Sequence, residues 1–194
     1  MVSGVSPVNP ESDAAVIEVS RREPAAFGTL FDRHATVLFR YLVRRVGPGE
    51  ADGMLGEVFR IAFERRGDFD VSRSDARPWL YGIASNLLSN HRRREARRLR
   101  ATARLLAGQT ASEDATEHVA ARLDAAASWP GVIAAIDALP DVERSALFLH
   151  VWEGLSYEEI ATSLDIPVGT VRSRLNRARR RMRVQRSIEA CVHE

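Results

Sequence analysis

Arginine, asparagine and serine on successive turns of one helix are side chains that can read base edges, and this 194-residue chain gathers such a set near its C-terminal end. In "GTVRSRLNRARRRMR" (Gly169 to Arg183), Val171, Leu175, Ala178 and Met182 recur at spacings of four, three and four, the apolar stripe of a helix. At about 100° per residue, the opposite face carries Gly169, Ser173, Asn176 and Arg180, flanked by Arg172 and Arg177. Arginine can fork onto guanine, asparagine onto adenine, and serine onto either. The remaining Arg179, Arg181, Arg183 and Arg186 suit phosphates. Between Arg172 and Arg186 there are eight arginines and no carboxylate, whereas a merely solvated helix usually interleaves acids with its bases.

A second basic run lies upstream. From His91 to Arg104 there are seven arginines against one acid, Glu95, and Arg92, Arg93, Arg94, Arg97 and Arg98 are its candidate phosphate contacts. Trp79, Tyr81, Asn86 and His91 precede or open it, and unpaired bases call for aromatic and amide surface beside basic side chains. Between the two runs, Leu105 to Ile160 holds ten carboxylates against Arg122 and Arg144. That segregation explains how a chain with two strongly basic segments carries a formal net charge of only +2. All 28 basic residues are arginine, a bias that codon usage in a GC-rich genome accounts for without any functional cause.

Other chemistries find no support. The single cysteine, Cys191, allows neither an internal disulfide nor a thiolate zinc site. The five histidines, His34, His91, His118, His150 and His193, show no metal-ligand spacing, and no glycine-rich phosphate loop occurs. No enzyme, cofactor or metal is expected. Glu11, Asp13, Glu18 and Glu23 argue against a signal peptide, and patches such as "ALFL" (Ala146 to Leu149) are too short to span a bilayer, so a cytoplasmic protein is expected.

The elements that must position these residues read as helices throughout. "PAAFGTLFDRHATVLFRYLVRRV" (Pro24 to Val46) turns Phe27, Leu30, Phe31, Leu38 and Leu42 inward, and "GPG" at Gly47 to Gly49 ends it. A second helix is predicted from about Glu50 to Arg66, with Leu55, Val58, Phe59, Ala62 and Phe63 inward. Gly67 to Ala76 reads as a polar loop. A third helix begins near Pro78 and runs on through the first arginine cluster. The alanine-rich, polar stretch to Ser128 is a predicted linker, with a smaller helical domain from Trp129 to about Arg186. Ser156 and Glu159 form a capping box, and "DIP" at Asp165 to Pro167 separates that helix from the arginine-rich one. Helix, short turn and basic helix make the helix-turn-helix pattern.

"ALPDVERSALFLHVWEGLSYEEIATSLDIPVGTVRSRLNRARRRMR" resembles the C-terminal DNA-binding domain of bacterial RNA polymerase sigma factors of the two-domain, extracytoplasmic-function (ECF) kind. "FGTLFDRHATVLFRYLVRRVG" is similar to their first core-binding helix, and "RPWLYGIASNLLSNHRRREARR" to their promoter-melting helix. The resemblance implies an all-α protein of two helical domains: residues 1–104 for core polymerase and the minus-ten element, 105–128 as linker, 129–186 for the minus-thirty-five element, and a tail. It implies base reading by Thr170, Arg172, Ser173, Asn176, Arg177 and Arg180, and minus-ten melting by Trp79, Tyr81, Asn86 and His91. Asp52, Leu55, Glu57 and Arg60 would meet the clamp helices of the β' subunit of core RNA polymerase. Promoter DNA and an anti-sigma factor are the other implied partners. The docking helix departs from the family's usual "AEDLVQETF": here it reads "ADGMLGEVF", with Gly53 and Gly56 in place of an acid and an amide. Two other readings stay open from sequence: a helix-turn-helix regulator that acts without polymerase, and a sigma mimic that binds a regulatory protein and no DNA.

Overall fold

The computed structural model describes residues 12–107 and 129–192, and every regular element among them is helical. These residues group into two compact units, one up to Leu88 together with Leu149–Val171, the other from Ser89 to Phe148 and from Arg172 onward.

The first unit opens with a helix the sequence did not announce. α1 (Asp13–Ser20) is capped by the Ser12 hydroxyl, which accepts from the Ala15 N–H at 3.2 Å, and it buries Ala14 and Ile17. Its short length and adjacent acids hide it from periodicity; Ile17 alone is a large, fully buried anchor. Asp13 then ties three segments together. Its carboxylate accepts from His34 Nε2 at 2.6 Å, from Arg33 at 3.0 Å and from the Ala76 N–H at 3.0 Å, while its own N–H donates to Ser74 at 3.1 Å. Burial by itself would raise this carboxyl, but the hydrogen bonds from His34, Ala76 and Arg33 outweigh that and hold it at about 2. Asp75 lies close enough to complete a three-ligand cluster with Asp13 and His34, yet two N–H donors already fill the oxygens of Asp13, as suits a structural node.

A short 3-10 turn (Pro24–Phe27) leads into α2 (Gly28–Val46), which buries Leu30, His34, Leu38, Tyr41 and Leu42. The expected inward Phe31 is instead 44% exposed and lies against Phe59 with ring centroids 4.8 Å apart. Gly47, at φ 79°, ends α2 in a conformation that other residues rarely adopt. Pro48 and Gly49 do not extend that break; they open α3 (Pro48–Glu64), where proline is at home in the first turn. Ala51, Leu55, Val58, Phe59 and Ala62 form its buried stripe, and Phe63 makes an edge contact with Phe27 at 5.3 Å.

α4 (Arg77–Ala107) changes character along its length. Leu80, Tyr81, Ile83, Ala84 and Leu88 are buried, whereas every side chain from Arg93 to Ala103 is exposed. It reaches Ala107, so the first residues of the predicted linker are helical; residues 108–128 lie outside the described ones.

Further along the chain come α5 (Trp129–Asp137), α6 (Asp141–Val151), α7 (Tyr157–Leu164) and α8 (Val168–Val192). In the second unit, Arg144 turns its buried guanidinium onto the carbonyls of Asp137 and Leu139, both at 2.7 Å, and so satisfies the C-terminal end of α5. The predicted capping box is formed in full: Ser156 Oγ accepts from the Glu159 N–H, and Glu159 accepts from the Ser156 N–H at 2.7 Å. Asp165 takes the left-handed conformation at φ 50°, the Ile166 N–H closes onto Ala161, and Pro167 launches α8. α8 continues to Val192, into the predicted tail.

Asp13→Asn is expected to lower stability near neutral pH by on the order of 2 kcal/mol, the free energy held by its depressed ionisation. In the native chain this contribution is complete above the ordinary aspartate range near 3.8 and fades as pH falls toward about 2. Urea unfolding across that acid range should therefore show a shallower pH dependence in the variant.

Candidate nucleic-acid interface

Three fully buried side chains on α8, Val171, Leu175 and Ala178, fix its rotation about its own axis. Gly169, Arg172, Ser173, Asn176 and Arg180 are thereby exposed on the opposite arc, together with Arg179 and Arg183. Met182 is half-buried, in keeping with its place at the end of the stripe. Thr170 is half-buried on the flank of the helix.

The sequence suits Arg177 to bases and Arg181 to phosphates, but the structure brings both to one carboxylate. Both reach Glu143 of α6, at 3.3 Å and 3.2 Å, and that carboxylate is 5% exposed. They sit one turn apart at the side of the exposed arc, with the half-buried Arg174 beside them. Burial, and secondarily the charge of Arg177, pulls the Arg174 guanidinium below its usual range. Neither Glu143 nor Arg174 stood out in the sequence. Arg174 could have been found from the period of the helix, whereas Glu143 is distant along the chain.

On α4, Trp79 and Asn86 lie seven residues apart, two turns along one side. Trp79 is half-buried against Phe69, at 5.2 Å between rings, and Asn86 is exposed. Tyr81 projects from the other side and is 2% exposed, its hydroxyl donating to Glu153. Its position in the apolar run with Leu80, Ala84 and Leu88 removes it from the exposed set. His91 is half-buried. Arg93, Arg94, Arg97 and Arg98 are exposed, Arg97 leaning back onto the Arg93 carbonyl at 3.2 Å, while Arg92 is paired with Asp141.

On α3, Asp52 and Arg60 are exposed and Glu57 is half-exposed. Leu55 is only 8% exposed, because its spacing with Ala51, Val58 and Phe59 turns it into the core, so it supplies packing behind the face and not contact on it. Arg60 is gripped by Glu57 at 2.6 Å and Glu64 at 2.5 Å, and these hydrogen bonds raise its guanidinium and lower the Glu57 carboxyl.

Residues 30–98 match the family described as sigma-70 region 2, and residues 131–182 match sigma-70 region 4. The RNA polymerase sigma-H factor of Pseudomonas aeruginosa is 36% identical over 181 residues, which covers 87% of this chain and 91% of that one. This chain belongs to the ECF branch of the sigma-70 family. The ECF sigma factor SigL of Mycobacterium tuberculosis, 30% identical, covers 88% of this chain and 94% of its own. In fold it resembles a sigma factor from Bartonella quintana solved with the anti-sigma factor NepR, with a TM-score of 0.60, 19% identity, and coverage of 84% of this chain and 97% of that one.

As an ECF sigma factor the chain directs transcription initiation. The two matched regions coincide with its two arginine-bearing helices: region 2 ends at Arg98 on α4, and region 4 ends at Met182 on α8. A regulator acting through a helix-turn-helix alone would have no use for the first.

The glycines of the docking helix stand in open space, since a Cβ at Gly53 or Gly56 would meet nothing within 4 Å. Gly53→Ala and Gly56→Ala should each stabilise this sigma factor by about 0.5–1 kcal/mol. Thermal melts read that gain directly.

Proposed function

We propose that the two regions divide promoter recognition along the lines of their arginine-bearing helices. Residues 129–186 read the minus-thirty-five element through the exposed arc of α8: Arg172, Ser173, Asn176 and Arg180 meet base edges, with Thr170 and Arg177 at the border. Arg179, Arg181 and Arg183 contact phosphates. Residues 1–104 bind core polymerase and open the minus-ten element, joined to the reading domain by residues 105–128. Trp79 and Asn86 hold unpaired bases, His91 lies at the end of that surface, and Arg92, Arg93, Arg94, Arg97 and Arg98 follow the displaced strand. Asp52, Glu57 and Arg60 face the clamp helices of the β' subunit, with Leu55 supporting them from below.

The observation that carries this reading is the exposed arc of α8, where arginine, asparagine and serine stand with no acid among them. Buried stripe and exposed arc together turn the polar groups toward solvent, where a major groove can receive them. No helix among the described residues is long and apolar enough to cross a membrane. The protein works in the cytoplasm, where polymerase and promoter DNA are found. The Bartonella sigma factor was solved with an anti-sigma factor, and a protein of that class is a regulator of this chain as well. No catalytic step, metal or cofactor enters the reading.

Run-off transcription with purified core polymerase and genomic fragments tests it: discrete new start sites are expected only when the protein is added. On the promoter so defined, Arg172→Ala or Asn176→Ala should cost about 1–3 kcal/mol at one base pair and relax specificity there. Arg179→Ala should weaken all sequences alike and lower the salt slope by about 1. A promoter panel on which both groups behave identically would refute the division of roles.

A further inference from the structure

Within the first unit, the turn after α6 carries a carboxylate that has left solvent. The side chain of Glu153 is 7% exposed. One oxygen accepts from Arg44 Nη1 at 2.9 Å, and the other accepts from the Tyr81 hydroxyl. A cavity of about 220 Å³ surrounds this group, lined by Arg40, Arg44, Arg77, Tyr81, Trp152 and Glu153 itself. Arg44 and the Tyr81 phenol thus meet on the carboxylate, while Arg40 and Arg77 line the same cavity. Arg77 has Asp75 at 2.9 Å as its own partner, but the cavity wall still holds more positive charge than Glu153 supplies. Such a cradle can take the oxygens of a phosphate as readily as those of a carboxylate.

Two further contacts hold the same segment in place. Arg73 donates to Thr162 Oγ1 at 2.7 Å. Gly82 of α4 lies so close to the end of α7 that a Cβ there would come within 2.4 Å of the Ser163 carbonyl oxygen. Its glycine is required by the approach and not by helix formation, which alanine would favour. Tyr81 and Arg77 stand on the same helix as Trp79 and Asn86 but project from its other side, so a strand with its bases at that surface would pass across α4 to reach the cradle.

We propose that Arg40, Arg44, Arg77 and the Tyr81 hydroxyl form a binding site for a backbone phosphate of single-stranded DNA, and that Glu153 is its built-in competitor, holding Leu149–Val171 closed over it. The proposal rests on the reading of this chain as a factor that opens DNA. Opening the segment withdraws Glu153 and offers the arginines to the strand; a phosphodiester in the cradle, in turn, disfavours closure.

The test is binding of a fluorescent single-stranded oligonucleotide to the full chain by anisotropy, at fixed salt. Glu153→Gln keeps the shape of the plug and removes its charge. Gly82→Ala changes no charge and obstructs the close approach, which separates undocking from the loss of one negative charge. Each should bind about tenfold tighter than the native chain, the change expected if about nine molecules in ten are closed. Adding Arg44→Ala to Glu153→Gln should abolish that gain. Equal affinities for the native chain, Glu153→Gln and Gly82→Ala overturn the proposal, and so does a gain that Arg44→Ala leaves intact. Circular dichroism melts verify folding, and should Gly82→Ala not fold, the Glu153 and Arg44 variants still decide. Run-off transcription by the native chain separates the two levels. Initiation with unchanged oligonucleotide affinities sinks the competitor alone, whereas absence of initiation sinks the underlying reading and the competitor with it.

Discussion

Three apolar side chains without charge or hydrogen-bonding capacity, Val171, Leu175 and Ala178, decide where the arginines of α8 point. Burying them removes apolar area from water at about 25 cal/mol per Å², and the helix has no other stripe to offer. Once that side is inward, its period carries Arg172, Asn176 and Arg180 outward. The same constraint acts on α4, where Leu80, Ala84 and Leu88 anchor the first turns and the arginines beyond them extend into solvent. A helix dense in like charge would be strained if isolated, because neighbours one turn apart repel. Anchoring at one side or one end lets tertiary burial override that repulsion.

Acids complete what burial begins. Glu143 collects Arg177 and Arg181, and Glu153 engages Arg44 and Tyr81. Asp13 gathers His34, Arg33 and the Ala76 amide. Each of these carboxylates is largely withdrawn from water; Asp13 and Glu153 meet two or more hydrogen-bond donors, and Glu143 lies between two guanidinium charges, the pairing under which a buried charge is tolerated. They divide the cations of the protein into those already committed to its own fold and those left facing outward. Arg172, Arg180, Arg93 and Arg94 belong to the outward group.

Much of this was legible in advance. The stripe of α8, the capping box at Ser156 and the break at Asp165 are local features, set by side chains within a few turns of one another, and they appear as expected. Helix α1 was not legible, because eight residues are too few for a period to declare itself and its anchoring partners lie far along the chain. Tyr81 and Leu55 show a different difficulty. A residue type can suit both an interface and a core, and only the neighbours on its own stripe tell which it joins. For Leu55 and Tyr81 alike those neighbours were visible in the sequence, whereas the Glu153 carboxylate that accepts from the Tyr81 hydroxyl is remote in the chain.

What the amino-acid sequence determined by itself is the set of helices other than α1, their apolar and basic faces, and the sigma-factor signature, since all depend on short-range spacing and on residue type. What only the tertiary structure decided is which charges pair. Arg177 with Glu143, Arg92 with Asp141, and Glu153 with Arg44 are joined across long separations, and the period of a helix holds no information about the helix it will meet. The approach of Gly82 to Ser163 is of the same kind: the absent side chain can be read from the sequence, but the carbonyl that requires its absence is supplied only by folding.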